Sequence, residues 1–358
     1  MTGRGDDRAK RDDDHSATPF DALCRRMIAL TRGLAAALCV SLLASPPDLG
    51  AAEPLAVEAT ERRLDPERPS LDRVGSLRSL GVLQLRSDDP RFGGLSGLLV
   101  SPDGARLEAV TDEGNWIALE LTYGPAGRLS GVRNGRIAAL TDREGRPLGR
   151  KSRQDAEALA IDGDGLLVAF EHRHRIWRYA RANGALAARP EQLPDPPGLQ
   201  AQPDNEGIEA MARLADGRLL AIGSKTVKPD HYPAFLRAPA ASTDQGAWHS
   251  LWYYRAAPYE PTGATVLPDG DLAVLERRFS LLGGLAVRLV QVSGASIAPG
   301  ATLTGRELAV LKPPLTLDNY EGIAARRGPD GETLVYLLSD DNFNLLQRTL
   351  LALFVLDD

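Results

Sequence analysis

The chain has 358 residues, 43% of them hydrophobic and 25% charged, enough for a sizeable buried core. Its net charge of −6 argues against general nucleic-acid binding. Thirty-five glycines and 25 prolines point to many turns rather than long helices.

Residues 1–24 are polar and lack periodicity. Arg25-Arg26 then precedes an apolar run over residues 34–44, with small residues at Gly50-Ala51-Ala52. This is the layout of a secretory signal, too short for a membrane span, and the arginine pair weakly resembles a twin-arginine signal. An uncleaved anchor is the main competing reading, and a start at Met27 would shorten the leader. Both cysteines, Cys24 and Cys39, fall in this segment, so the mature chain has none and disulfide chemistry is excluded there. The expected organisation is an N-terminal extension and signal over 1–52, a lead-in segment over 53–74 and one domain over 75–358. The expected location is the periplasm or the exterior.

From Phe92 onward the chain repeats one hairpin five times. The second copy is the clearest: Glu157-Ala158-Leu159 opens a strand, Asp162-Gly163-Asp164-Gly165 reverses it, and Glu171 closes the return strand. Asp-Gly supplies the positive-φ residue that such turns need. The other copies run from Ser96 through Gly104 to Asp112, from Glu209 through Gly217 to Ser224, from Thr262 through Gly270 to Glu276, and from Glu321 through Gly331 to Asp340. The offset from opening residue to turn glycine is 8 in the first four copies and 10 in the last. The period is 52 to 61 residues, which suits a four-stranded blade with loops.

Further strands are expected after each hairpin, including residues 116–123, 175–179, 248–254, 285–292 and 350–356. The last unit lacks an outer strand, while residues 77–85 form a strand with no unit of their own. Joining the two closes a ring and removes the exposed edge. The predicted fold is therefore an all-β propeller of five four-stranded blades, sealed by the N-terminal strand. A sixth blade would have to hide in a long inter-repeat stretch, and an all-β sandwich would not explain the regular repeat.

In an unbroken register the opening and closing residues of each hairpin face each other, with Cβ atoms about 5 Å apart. The inner strand of a propeller blade lines the channel, so five polar pairs surround one mouth: Ser96 with Asp112, Glu157 with Glu171, Glu209 with Ser224, Thr262 with Glu276, and Glu321 with Asp340. Facing carboxylates need a cation or a shared proton. The oxygen-rich ring, with Asn205, Glu206, Asn319 and Asp341 nearby, suits Ca²⁺ before Mg²⁺. The candidate metal ligands are Glu157, Glu171, Glu321, Asp340, Asp112, Glu276 and Glu209. Arg173, Lys225 and Arg277 follow closing residues and are candidate phosphate-binding groups. The same carboxylates could instead bond backbone amides or pair with those arginines in a purely structural role. His172 and His174 lack a third converging ligand and read as surface residues. Trp248, Trp252, Tyr253 and Tyr254 read as packing between blades. Gly94-Leu95-Ser96-Gly97 lacks the spacing of a nucleophile elbow, and no catalytic residue is named.

Several segments carry a family resemblance: Gly93-Gly94-Leu95-Ser96-Gly97 with Thr111-Asp112-Glu113-Gly114, Asp155-Ala156-Glu157-Ala158-Leu159 with Ala169-Phe170-Glu171, Asn205-Glu206-Gly207-Ile208-Glu209-Ala210, and Asn319-Tyr320-Glu321-Gly322-Ile323 with Ser339-Asp340-Asp341-Asn342. Over residues 75–356 the chain resembles the phytase-like family of secreted bacterial proteins, described by the esterase-like activity of phytase. That resemblance implies an exported β-propeller with hydrolytic activity on phosphate or carboxylic esters. The third hairpin departs from the pattern, closing on Gly223-Ser224 where an acid would complete it. The expected function is a calcium-dependent hydrolase of phosphate esters at the acidic rim. The alternatives are a non-enzymatic periplasmic binding or scaffold propeller and a carboxylic esterase. The expected partner is a small phosphate ester or another anion, with no membrane association after signal removal, and the chain is expected to act as a monomer.

Overall fold

The computed structural model describes residues 52–357, apart from 150, 183–184, 187–188, 226–229, 240–245, 256 and 281–282. Apart from Ala52, the expected targeting segment lies outside the described residues. Among those described, no helix is long and apolar enough to cross a membrane.

The five hairpins form the inner two, antiparallel strands of five sheets. Their inner strands are Leu95–Val100, Ala156–Asp162, Ile208–Arg213, Glu260–Val266 and Asn319–Arg327. Each contacts the next, and the last contacts the first, so the sheets form a closed five-bladed propeller. Glycines at positive φ, including Gly104, Gly217, Gly270 and Gly331, make the hairpin turns, as the Asp-Gly signal requires.

Closure occurs in blade five. Leu77–Arg86 pairs antiparallel with Thr349–Leu356, and Glu58–Arg62 adds outside it. Glu53–Leu55 joins the outer edge of blade one and Arg73–Val74 pairs with Leu77–Arg86, so all three short strands of the expected lead-in segment attach to the propeller. Blade three gains an outer strand from far along the chain, Thr302–Leu303, paired parallel to Trp248–Tyr254.

Five apolar clusters hold the ring together, one at each interface between adjacent blades. Leu83, Leu107, Leu338 and Leu351 sit between blades five and one, for example, while Leu220, Ile222, Val274 and Val290 sit between three and four. The alternation of Trp248–Tyr254 divides its aromatics. Tyr253 is buried in the cluster between blades three and four, whereas Trp252 and Tyr254 lie edge-on to His231 on the other face. Trp248 packs against Phe235 and donates to the Pro194 carbonyl.

The register departs from the simple hairpin in one repeated detail. Each inner pair carries a β-bulge at the channel mouth. In blades two to five the extra, unpaired residue is Glu157, Glu209, Thr262 or Glu321; in blade one it is Gly97. A bulge re-aims the side chain it carries and offsets the pairing beyond it. In blades one, two, three and five the closing residues therefore lie opposite positions two before the opening residue. Asp112, Glu171 and Ser224 donate their amides to the carbonyls of Gly94, Asp155 and Gly207, and Asp340 pairs with Asn319.

Candidate functional site

At one mouth of the channel a cavity of about 450 Å³ gathers Glu157, Glu171, Glu209, Glu321, Lys225 and Arg277. The bulged strands supply the glutamates, and the ends of the second strands supply the residues facing them.

Blade two carries the densest group. Ligand oxygens of Asp155, Glu157 and Glu171 lie within 4.8 Å of one another. Asp155 joins because the bulge places it, rather than Glu157, opposite Glu171. The Gly207 amide donates to Glu171 at 3.0 Å, and His172 Nε2 lies 3.1 Å from Asp155 Oδ2. His172 is therefore drawn to the rim. His174 is buried behind it, its Nε2 2.9 Å from the Pro203 carbonyl.

Across the cavity, Glu321 accepts from Ser96 Oγ at 3.0 Å, Asn319 Nδ2 at 2.8 Å and Arg277 Nη1 at 3.1 Å. Arg277 also donates to Asn319 Oδ1. Ser96 thus gives its hydroxyl proton to a carboxylate and is nearly fully buried. Thr262 Oγ1 donates to the Tyr320 carbonyl at 3.2 Å.

Other residues of the expected ring lie elsewhere. Glu276 pairs with Pro261, so in blade four it is Arg277, opposite Glu260, that occupies the closing rim position. The Glu276 side chain is turned into the protein and 1% exposed, accepting from Tyr253 OH at 2.8 Å and from Arg288 Nε at 2.6 Å. Asp340 is buried beside the cavity, reached by Asn319 Nδ2 at 3.3 Å and capping the Asn342 amide at 2.6 Å. Asp112 packs against Gly94, where any Cβ would meet its carboxylate. Arg173 is exposed and does not line the cavity. Sequence reasoning missed Asp155 as a rim ligand and missed Arg255, which lines the cavity from the end of a blade-three strand.

The electrostatics follow from crowding acids where water is scarce. Burial, and then the charges of Glu209, Glu321, Glu171 and Asp155, hold the Glu157 carboxyl well above the usual range. Burial and Glu209 push Glu171 up to about 9. Burial and the charge of Glu321 push Asp340 up to about 8. Glu321 is raised by burial, against the opposing pull of Arg277. Such a set suits a hard cation, which would replace the protons with one divalent ion shared among oxygens.

A family model described as phytase-like, esterase-like activity of phytase, matches residues 90–343. The chain belongs to the phytase-like family. No curated protein matches it. Solved structures similar to it include a protein of unknown function from Dyadobacter fermentans, at 13% identity and TM-score 0.41, covering 87% of this chain and 96% of that one. Another is the β-propeller domain of Cps50 (Swd1) from Myceliophteria thermophila, at 11% identity and TM-score 0.37, covering 83% and 99%. A third is a putative 6-phosphogluconolactonase from Bacteroides fragilis, at 16% identity and TM-score 0.33, covering 80% and 74%. The family match spans all five hairpins, including the rim acids Asp155, Glu157, Glu171, Glu209 and Glu321.

Proposed function

We propose that this propeller is a calcium-dependent hydrolase of phosphate esters, working at the acidic mouth of the channel. The observation that carries the reading is the convergence of Asp155, Glu157 and Glu171 within 4.8 Å, in a group that also feels the charges of Glu209 and Glu321. Membership of a family described by esterase-like activity of phytase supports the choice of ester hydrolysis. Asp155, Glu157, Glu171 and Glu209 would hold the ion. When bound, it would neutralise the cluster, polarise a phosphoryl oxygen and lower the pKa of a coordinated water.

The chain's own groups bind and orient. His172 fixes Asp155, the Gly207 amide fixes Glu171, and Ser96 with Asn319 fixes Glu321. Arg277, steadied by Glu321, and Lys225 bring positive charge to the same cavity for an anionic substrate. Export through the N-terminal segment belongs to the same reading, and cell fractionation tests it.

The direct test is turnover of a phosphate monoester by the purified protein, with calcium and after chelation. The reading expects activity that calcium restores and that Glu157→Gln with Glu321→Gln abolishes. Unchanged turnover after chelation would remove the metal from the account. A protein that bound calcium and phosphate yet turned over no ester would be a binding propeller.

A further inference from the structure

The rim is not uniformly acidic, and its asymmetry has a chemical meaning. The closing position carries Asp112, Glu171 and Asp340 in blades one, two and five, but Ser224 in blade three and Arg277 in blade four. The two adjacent blades without an acid there are the ones that bring Lys225, Arg255 and Arg277 into the cavity.

Arg255 is held by a tyrosine, with only long ion pairs to carboxylates. Its backbone amide donates to the Asp230 carbonyl at 3.0 Å. Its Nη1 donates to Tyr232 OH at 2.7 Å, and its guanidinium lies over the Tyr232 ring at 5.3 Å. The nearest carboxylates, Glu260 at 3.8 Å and Asp230 at 3.9 Å, are beyond hydrogen-bonding range and largely exposed. Its Nε is buried without an acceptor, and Ser224 Oγ on the same cavity is buried without a partner. Buried donors left unmade cost stability, so both are explained by an acceptor that arrives with a ligand. A guanidinium with open donors beside a lysine and a hydroxyl matches a tetrahedral dianion in geometry and charge.

We propose that Arg255, Ser224 and Lys225 form a preformed seat for the phosphate group of the substrate, with Arg255 as the anchor, on the blade next to the carboxylates of blade two. The proposal rests on the phosphate-ester reading, and it sets an oxyanion seat on blade three beside the cation site of blade two. Inorganic phosphate and a phosphate monoester share the recognised chemistry.

Calorimetric titration of the purified protein with inorganic phosphate and with acetate tests it, with and without calcium, beside a thermal melt of each variant in calcium. Wild type is expected to bind phosphate in preference to acetate. Arg255→Met should weaken phosphate binding roughly 10- to 100-fold, the loss of a charge-assisted hydrogen bond, while keeping the calcium-induced rise in melting temperature. Ser224→Asp should abolish phosphate binding by restoring an acid to the rim. Phosphate affinity unchanged in both variants, or a preference for acetate, would overturn the seat while leaving the metal reading standing. Phosphate binding that depends on Arg255 without any calcium effect would keep the seat and remove the metal. If Arg255→Met fails to fold, the Ser224→Asp titration decides alone.

Discussion

Glu171 binds its proton up to about 9 in the folded protein, against an ordinary value of 4.5. Asp340 does so up to about 8, against 3.8. Between those limits the folded chain retains protons that the unfolded chain has released. Stability from these groups is therefore fully present below their unfolded values and is lost as pH rises toward the folded ones, by at most about 1.4 kcal/mol per group per pH unit. Metal-free protein should lose stability across that window, and Glu171→Gln should make the loss shallower; equal slopes in urea-unfolding series over pH would contradict the crowding argument. Glu276 has a different role, because Arg288 and Tyr253 already satisfy it. Glu276→Gln should cost about 1–3 kcal/mol by weakening the charge-assisted bond to Arg288, which keeps only the distant Glu307 carboxylate, yet leave calcium binding unchanged by calorimetry. Residue types alone could not separate Glu276 from Glu171, because both close a hairpin in the sequence.

The hairpin element was legible because Asp-Gly turns and alternating strands each have a local signature. The bulge was not, since one extra residue in a strand changes neither composition nor the offset to the turn. Its consequence is the substitution of Asp155 for Glu157 opposite Glu171, and of Arg277 for Glu276 at the rim. The strands Glu53–Leu55 and Glu58–Arg62 were hidden because they are short and mostly exposed edge strands. Where inner strands converge, a Cβ on Gly263 would sit 2.4 Å from the Glu321 carbonyl oxygen. Gly263→Ala should therefore destabilise by about 1–3 kcal/mol through overpacking and lower phosphate-ester turnover by displacing Glu321 and with it Arg277. Gly270→Ala meets open space at its turn, and should cost only the positive-φ penalty of about 1–2 kcal/mol. Chemical denaturation and phosphate-ester turnover of both variants separate the two effects.

At the scale of the molecule, the ring depends on a strand from the other end of the sequence. A last unit short of one strand and an N-terminal strand without a unit predicted that closure, and Leu77–Arg86 with Thr349–Leu356 provides it. A chain starting after residue 86 would leave Thr349–Leu356 as a raw edge and uncover side chains that are now fully buried, such as Leu351 and Leu353. It should aggregate in size-exclusion chromatography and lose its cooperative melt, unlike a chain starting at residue 52. Less legible was the polarity of the mouth, because Lys225, Arg255 and Arg277 are far apart in sequence and meet only once blades three and four pack. The central claim is that a hard cation compensates the acids of blade two. A thermal melt of chelator-treated protein at mildly alkaline pH, with and without saturating calcium, tests it most directly. The account predicts a rise of about 5 °C or more that Glu157→Gln with Glu171→Gln removes; an unchanged melting temperature in the wild type would contradict it.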